Sequence, residues 1–118
     1  MKFIEHDLGN SIAVEVVSDE IVINSEQDAL DLMADVGYLY NSRKIIMNRE
    51  NLCDEFFVLK SGVAGSVMQK FSNYRVQVAI IGDFSNTSKS LKAFIIECNR
   101  TRQVIFTTDL NTALKELY

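Results

Sequence analysis

The sequence predicts an α/β domain with a mixed sheet, in which an N-terminal β-hairpin is followed by βα repeats. The strongest sign is an apolar strand at residues 76–81, which lies between two helical patterns and carries one polar residue, Gln77. Such a strand is typical of a parallel sheet covered on both faces, and such sheets place ligands beyond the carboxyl ends of their strands. Proline and linker-like tracts are absent from the 118 residues. We therefore expect one domain over residues 1–118.

The first 23 residues predict short strands. Residues 2–6 and 11–17 are interpreted as a hairpin, because the turn between them contains Gly9 and other turn-forming residues. Residues 20–23 are predicted to add a short third strand.

A helix is predicted from Ser25, with Asp28 in a capping-box-like relation to it. Gly37 is expected to end this helix. Its apolar residues follow the i, i+3, i+4, i+7 spacing of an amphipathic helix: Ala29, Leu32, Met33 and Val36.

The rest of the chain alternates between strands and helices. Strands are predicted at residues 44–47, 76–81 and 103–107, whereas the apolar run 56–59 fits either a strand or a helix. In the second helix, Gly62 is interpreted as part of the preceding turn and Gly65 as avoiding a clash, with close approach to the sheet or a ligand as the alternative. The apolar positions of the three remaining helices are Val63, Ala64, Val67, Met68 and Phe71, then Leu91, Phe94, Ile95 and Cys98, and finally Leu110, Ala113, Leu114 and Leu117.

Composition narrows the classes of partner. The net charge is −4 and the 12 basic residues are dispersed, so we expect no nucleic-acid or anionic-membrane partner. No apolar run approaches the roughly 18 residues of a membrane helix, and the first residues lack a signal-peptide core, which predicts a cytoplasmic protein.

Cys53 and Cys98 lack paired spacing and are interpreted as reduced, packed thiols, while His6 is interpreted as solvated. We predict no catalytic constellation, no metal site and no cofactor.

The first candidate anion site is the segment 82–90, where a strand end is followed by hydroxyl residues at a helix start. Free backbone amides and the helix dipole favour an anion there, and Lys89 would hold it. The order of a P-loop is absent, and Ser85 and Ser88 are equally suited to capping the helix. Asp83 invites an acid or base role but lacks a second well-placed carboxylate.

A second candidate lies at the start of the second helix, where a serine hydroxyl either caps the helix or carries a phosphate. The segment 69–75 mixes aromatic and basic residues and is interpreted as a connection that a partner could bind. The complete candidate ligand or partner surface is Lys60, Ser61, Gly62, Tyr74, Asp83, Ser85, Ser88 and Lys89.

Five segments carry a family resemblance: residues 25–33, 56–65, 69–76, 82–85 and 88–91. On these residues the chain resembles a small bacterial family called domain of unknown function 4180, a name that implies no activity. The string from Gln69 to Gly82 is its most specific part.

The order of elements is also similar to that of the STAS domain and the related sporulation-antagonist-like folds. That resemblance implies a layered α/β architecture and a serine at a helix start whose phosphorylation controls binding to a partner kinase. Ser61 lies at the corresponding place, although the acidic residue and paired hydroxyls of the STAS motif are missing around it.

These observations favour a non-enzymatic module with a regulatory role, which binds a protein partner or a small anionic ligand. Two alternatives stay open. One is a small enzyme acting on a phosphorylated or otherwise anionic substrate, with Lys60 or Lys89 holding the anion and Asp83 as acid or base. The other is a structural protein that self-assembles, for example as a homodimer, through the edge of the hairpin.

Overall fold

Five strands and four α-helices are found in residues 1–117, the part of the chain that a computed structural model describes. The strands are β1 (Lys2–Asp7), β2 (Ile12–Val17), β3 (Lys44–Asn48), β4 (Gln77–Ile81) and β5 (Val104–Thr107). The helices are α1 (Glu26–Tyr40), α2 (Val63–Asn73), α3 (Lys89–Thr101) and α4 (Leu110–Glu116).

The strands form one mixed sheet in the order β1-β2-β3-β4-β5. β1 and β2 pair antiparallel as a hairpin, and every later pair of neighbours is parallel. Helices α1, α2 and α3 each connect one parallel strand to the next. The predicted α/β class, with an N-terminal hairpin followed by βα repeats, is confirmed.

Both faces of the central strands are buried. Ile45 and Val78 belong to a core shared with residues of α1, α2 and α3, whereas Ile46 and Ala79 face a second core with residues of α4. Because successive side chains of a strand point to opposite faces, burial on both sides needs consecutive apolar residues. This arrangement accounts for the apolar run that identified β4 in the sequence.

The first helix begins as predicted and ends later than predicted. The Ser25 side chain accepts a hydrogen bond from the Asp28 backbone N–H, as an N-cap does. Gly37 does not end the helix, which continues to Tyr40 and stops at Asn41 with φ of 51°. Asparagine tolerates this left-handed conformation, and its N–H donates to the Gly37 carbonyl oxygen at 3.0 Å.

Residues 20–23 do not form the predicted strand. Ile23 makes an isolated parallel bridge with Leu52, and the N–H groups of Val22 and Ile23 both donate to the Asn51 carbonyl oxygen. The ambiguous run 56–59 is neither strand nor α-helix, because it falls in two short 3-10 turns, Asp54–Phe57 and Leu59–Ser61.

Asn51 is fully buried, and its side chain holds the loop after β2 in place through hydrogen bonds. Its side-chain NH₂ donates to the carbonyl oxygens of Ser18 and Glu20, each at 3.0 Å, and its Oδ1 accepts from the Asn48 N–H at 3.1 Å. Every polar atom of this amide therefore has a partner, as burial requires.

The interpretation of Gly62 as part of a turn is confirmed by its φ of 80°. Gly65 lies inside α2 with nothing within 4 Å of the position that a Cβ would take, so it neither avoids a clash nor allows a close approach.

Alanine substitutions at Gly37 and Gly62 are expected to change the free energy of unfolding in opposite directions. Gly37 is helical and has open space around it, so Gly37→Ala should raise the free energy of unfolding by about 0.5 to 1 kcal/mol. Gly62→Ala places a Cβ in a left-handed conformation and should lower it by about 1 kcal/mol. Urea unfolding of both variants measures the two changes, and a loss of stability in Gly37→Ala would contradict the local structure of α1.

Candidate functional site

An open cavity of about 690 Å³ lies at the amino ends of β2, β3 and β4, and we call it the cationic cavity. Three basic residues line it: Arg43, Lys44 and Arg75. Its other lining residues are uncharged and include Ser11 and Gln77, and no aspartate or glutamate of residues 1–117 is among them. Within a chain of net charge −4, this is a local concentration of positive charge.

Parallel pairing brings these basic residues together. Lys44 pairs with Gln77 at the start of β3 and β4, so the residues just before both strands meet at the same edge of the sheet. The Gln77 N–H donates to the Arg43 carbonyl oxygen at 2.8 Å, which extends the ladder one residue beyond the strands. Arg43 and Arg75 therefore become neighbours although 32 positions separate them.

Lys44 is the half-buried member of the group. Its Nζ donates to the Ser11 hydroxyl at 2.7 Å, and burial lowers the pKa of its ammonium group below the ordinary value of 10.5. The backbone beneath it is held by the buried Ser42 hydroxyl, which donates to the Ile12 carbonyl oxygen at 2.6 Å and accepts from the Lys44 N–H at 3.1 Å. The floor of the cavity is thus tied to both β2 and β3.

The two arginines are exposed and make no ion pair with a carboxylate of residues 1–117. Elsewhere Arg100 pairs with Glu97 and Arg102 with Glu116. Arg75 adopts φ of 57°, a left-handed conformation that is uncommon outside glycine and asparagine. Arginine and lysine donors of this kind suit a carboxylate or a phosphate, which accept several charge-assisted hydrogen bonds at once.

A second cavity of about 450 Å³ adjoins the first, and we call it the apolar cavity. Ser42 and Arg43 line both cavities. The α1 helix contributes one wall, and the segment between α2 and β4 contributes Tyr74 and Val76. Asp31 is the acidic lining residue, and its Oδ1 accepts from the Gln27 side-chain NH₂ at 2.9 Å.

The carboxyl ends of β3 and β4, where the sequence led us to expect a ligand, are occupied by packed side chains. The guanidinium carbon of Arg49 lies 4.9 Å from the ring centre of Phe57 and 5.3 Å from that of Phe84. Its Nη1 also donates to the Asp83 carbonyl oxygen at 3.1 Å. The guanidinium of Arg49 therefore packs against two aromatic rings in a cation–π arrangement. Its positive charge is used for this packing and not for binding an anion.

Asp83 and Ser85 lie together in the turn after β4. The Asp83 carboxylate accepts from the Ser85 hydroxyl at 2.6 Å and from the Ser85 N–H at 3.0 Å. These two bonds are the main reason that the pKa of Asp83 is lowered, with a smaller contribution from Arg49. A carboxylate stabilised in this way is a weak base. Its two hydrogen bonds to Ser85 show that the Asp83 side chain stabilises the turn.

The remaining predicted residues are divided between helix caps and the exposed surface. Ser88 is the N-cap of α3 and accepts from the Leu91 N–H, while the Ser61 hydroxyl donates to the Glu55 carbonyl oxygen and accepts from the Val63 N–H. A shallow cavity of about 290 Å³ includes Ser61 and Gly62. Lys60 and Lys89 are exposed and line neither the cationic nor the apolar cavity. Tyr74 does line the apolar cavity.

Arg43, Lys44 and Arg75 were not predicted from the sequence as a group. The signal was present, since basic residues stand just before two strands that neighbour each other in the chain's βα order. Residues before adjacent parallel strands meet at one edge, so the three charges become neighbours once β3 is known to pair with β4. Arg75 had been considered only as part of the connection 69–75.

Other reactive side chains offer no further site within residues 1–117. No group of three metal-binding side chains occurs there, and no helix has the length and apolar character needed to span a membrane. Both cysteines are buried, as expected, and burial raises the pKa of Cys53 and brings that of Cys98 to about 11. His6 is not the solvated histidine we expected, because it is half-buried on β1 with its Nε2 2.8 Å from Glu15 Oε1 on β2.

The fold and this site define an α/β protein with a mixed five-stranded sheet and a cationic cavity at the amino ends of its strands. The chain belongs to the family described as Domain of unknown function (DUF4180), whose profile matches residues 8–117. The family resemblance of the sequence is thereby confirmed. No curated protein matches the chain, and no solved structure does. The similarity to STAS domains remains a prediction.

Gly82→Ala is expected to disturb the packing at the carboxyl ends of the strands. A Cβ at this position would lie 2.9 Å from the Arg49 Cβ, which belongs to the stiff base of that side chain. We expect a loss of about 1 to 3 kcal/mol in the free energy of unfolding, measured in urea. The helical glycine in Gly65→Ala serves as the control, because its added Cβ meets nothing within 4 Å and should not destabilise the protein.

The two thiols are expected to be slow nucleophiles in the folded protein. With a pKa of about 11, Cys98 is only about one part in a thousand thiolate at pH 8, and the thiolate is the reactive form. Alkylation by iodoacetamide at pH 8, followed by intact mass, should be about 100-fold slower in the native protein than in urea. Rapid labelling of the native protein would contradict the burial of these side chains.

Proposed function

We propose that this domain is a binding module for a small organic anion, and that the cationic cavity is its site. The observation that supports the proposal is the convergence of Arg43, Lys44 and Arg75 on one cavity without an acidic lining residue. Like charges in one cavity repel each other, and a half-buried lysine loses hydration. A bound anion offsets both costs, so this arrangement of charges favours a ligand of negative charge.

The dimensions of the site favour a small molecule over a polymer. Ligand cavities commonly measure about 300 to 1,000 Å³, and the cationic cavity falls within this range. A nucleic acid needs an extended basic surface, whereas here the group of three basic residues is confined to one cavity in a chain of net charge −4. A carboxylate or phosphate monoester fits both the size and the charge.

Binding without turnover is the activity that we infer for this site. The cavity lining has no histidine, cysteine or carboxylate in the described residues, and the ammonium group of its half-buried Lys44 already donates to the Ser11 hydroxyl. Asp83, which the enzyme alternative requires, lies at the opposite end of the strands from the three basic residues. We extend the proposal to a regulatory role, in which the ligand shifts the stability of the domain by binding only its folded state.

The alternatives that involve a macromolecular partner have weaker support. The three most exposed large apolar side chains are Tyr38 on α1, Met1 before β1 and Ile96 on α3, so they stand on separate parts of the chain. The β1 edge, which self-assembly would use, carries Lys2, Glu5 and Asp7, and charged residues on an edge strand discourage pairing.

The proposal is tested by titrating the ¹⁵N-labelled protein with inorganic phosphate and phenyl phosphate while amide NMR shifts are followed. We expect saturable shifts at residues 42–44 and 75–77, and weaker affinity at higher ionic strength. Arg43→Gln and Arg75→Asn should each weaken binding about fivefold to twentyfold, because each removes a charge-assisted donor. Asparagine is chosen at position 75 because it tolerates the left-handed backbone.

Arg102→Asn is the matched control. Arg102 also has a left-handed backbone, with φ of 63°, and also carries one positive charge, but it pairs with Glu116 and does not line the cavity. It should leave the affinity unchanged. Equal affinity in all three variants, or shifts confined to another surface, would overturn the proposal.

A further inference from the structure

The apolar cavity is an extension of the proposed anion site. It meets the cationic cavity at Ser42 and Arg43, which line both. A molecule whose acid group contacts Arg43 therefore has an apolar space directly beside it. Most of the wall of that space is made of aliphatic or aromatic side chains: Leu30, Met33, Ala34, Tyr74 and Val76.

Several lining residues of the apolar cavity are left exposed. Tyr74 is 58% exposed, and Ala34 and Gly37 are also exposed on the outer turns of α1. Gly37 has nothing within 4 Å of the position of a Cβ, so this turn of the helix leaves open volume above the wall. An apolar group placed there would bury these surfaces and gain the corresponding hydrophobic free energy.

The charges around the two cavities set the direction of the ligand. The cationic cavity has three basic residues, while the apolar cavity has Asp31 on its α1 wall, with one carboxylate oxygen bonded to Gln27. An acid group is therefore attracted more strongly to the first cavity than to the second, where Asp31 offsets the charge of Arg43. The acid end of a ligand therefore lies at the sheet edge, and its uncharged end lies toward α1.

We propose, on the basis of the proposed function, that the ligand is an amphiphilic anion with a carboxylate or phosphate head and an apolar tail. The head binds Arg43, Lys44 and Arg75, and the tail lies in the apolar cavity between α1 and Tyr74.

The test is an NMR titration with straight-chain carboxylates from acetate to octanoate, each kept below its micelle-forming concentration, with octyl phosphate as a second head group. Each added methylene should tighten binding about threefold until the cavity is filled, because burial of a methylene has a roughly constant free energy. 1-Octanol, which has the tail without the charge, should bind at least tenfold more weakly than octanoate or octyl phosphate.

Cavity-filling variants locate the tail. Gly37→Leu and, independently, Ala34→Leu should remove most of the gain from chain length while acetate and inorganic phosphate bind as they do to the unchanged protein. Gly65→Leu is the matched control, since Gly65 is also a helical glycine with free space but lines a different cavity. It should keep the full gain.

The outcomes separate this inference from the proposed function. Equal affinity for acetate and octanoate, with both weakened by Arg43→Gln, would overturn the amphiphilic ligand and leave anion binding intact. Chain-length gain that survives both Gly37→Leu and Ala34→Leu, or 1-octanol binding as tightly as octanoate, would also overturn it. Absence of binding by every anion would overturn both.

Discussion

Burial of both faces of β3 and β4 is the constraint on which the rest of this structure depends. Ile45 and Met47 pack toward α1, α2 and α3, and Ile46 packs toward α4, so the central strands offer no side chain to solvent along their middle. Polar chemistry near the sheet is confined to the strand ends. A site on this sheet can therefore lie only at the amino ends or at the carboxyl ends of the strands. The two ends differ in how completely the protein's own side chains occupy them.

At the carboxyl ends, the chain's own groups satisfy each other. Asn51 uses all of its hydrogen-bonding groups on the loops around β2 and β3, and Arg49 is held against Phe57 and Phe84. At the amino ends the charged groups are not satisfied in this way, because Arg43 and Arg75 have no carboxylate partner in residues 1–117. A buried amide with every bond made stabilises a loop, whereas cations without counterions are free to bind a ligand. The same sheet thus has one end devoted to structure and one available for binding.

The elements were predictable where the hydrophobic pattern is distinct, as in the amphipathic α1 and in the apolar run of β4. The predictions failed where local geometry decides. Residues 56–59 fold as 3-10 turns, for which the sequence carries no distinct period. Gly37 was given too much weight as a helix end, since a helical glycine costs only about 1 kcal/mol and Asn41 supplies a better left-handed stop. Of the candidate surface, Tyr74 lies at a cavity wall beside the three basic residues. Arg43 and Lys44 are far from Arg75 in the chain, and only the pairing of β3 with β4 places them together.

The expectation that ligands bind beyond the carboxyl ends of parallel strands rests on a feature that this fold lacks. In doubly wound sheets the strand order reverses, the loops on either side of the reversal diverge, and a crevice opens between them. Here β2, β3, β4 and β5 follow one another in chain order, and α1, α2 and α3 pack into one core on the same face. Loops that never diverge leave no such crevice, and Phe57 and Phe84 close the space further. The short connection between α1 and β3, residues 41–43, instead borders the cationic cavity at the amino ends of the strands, and this is why the proposed site lies there.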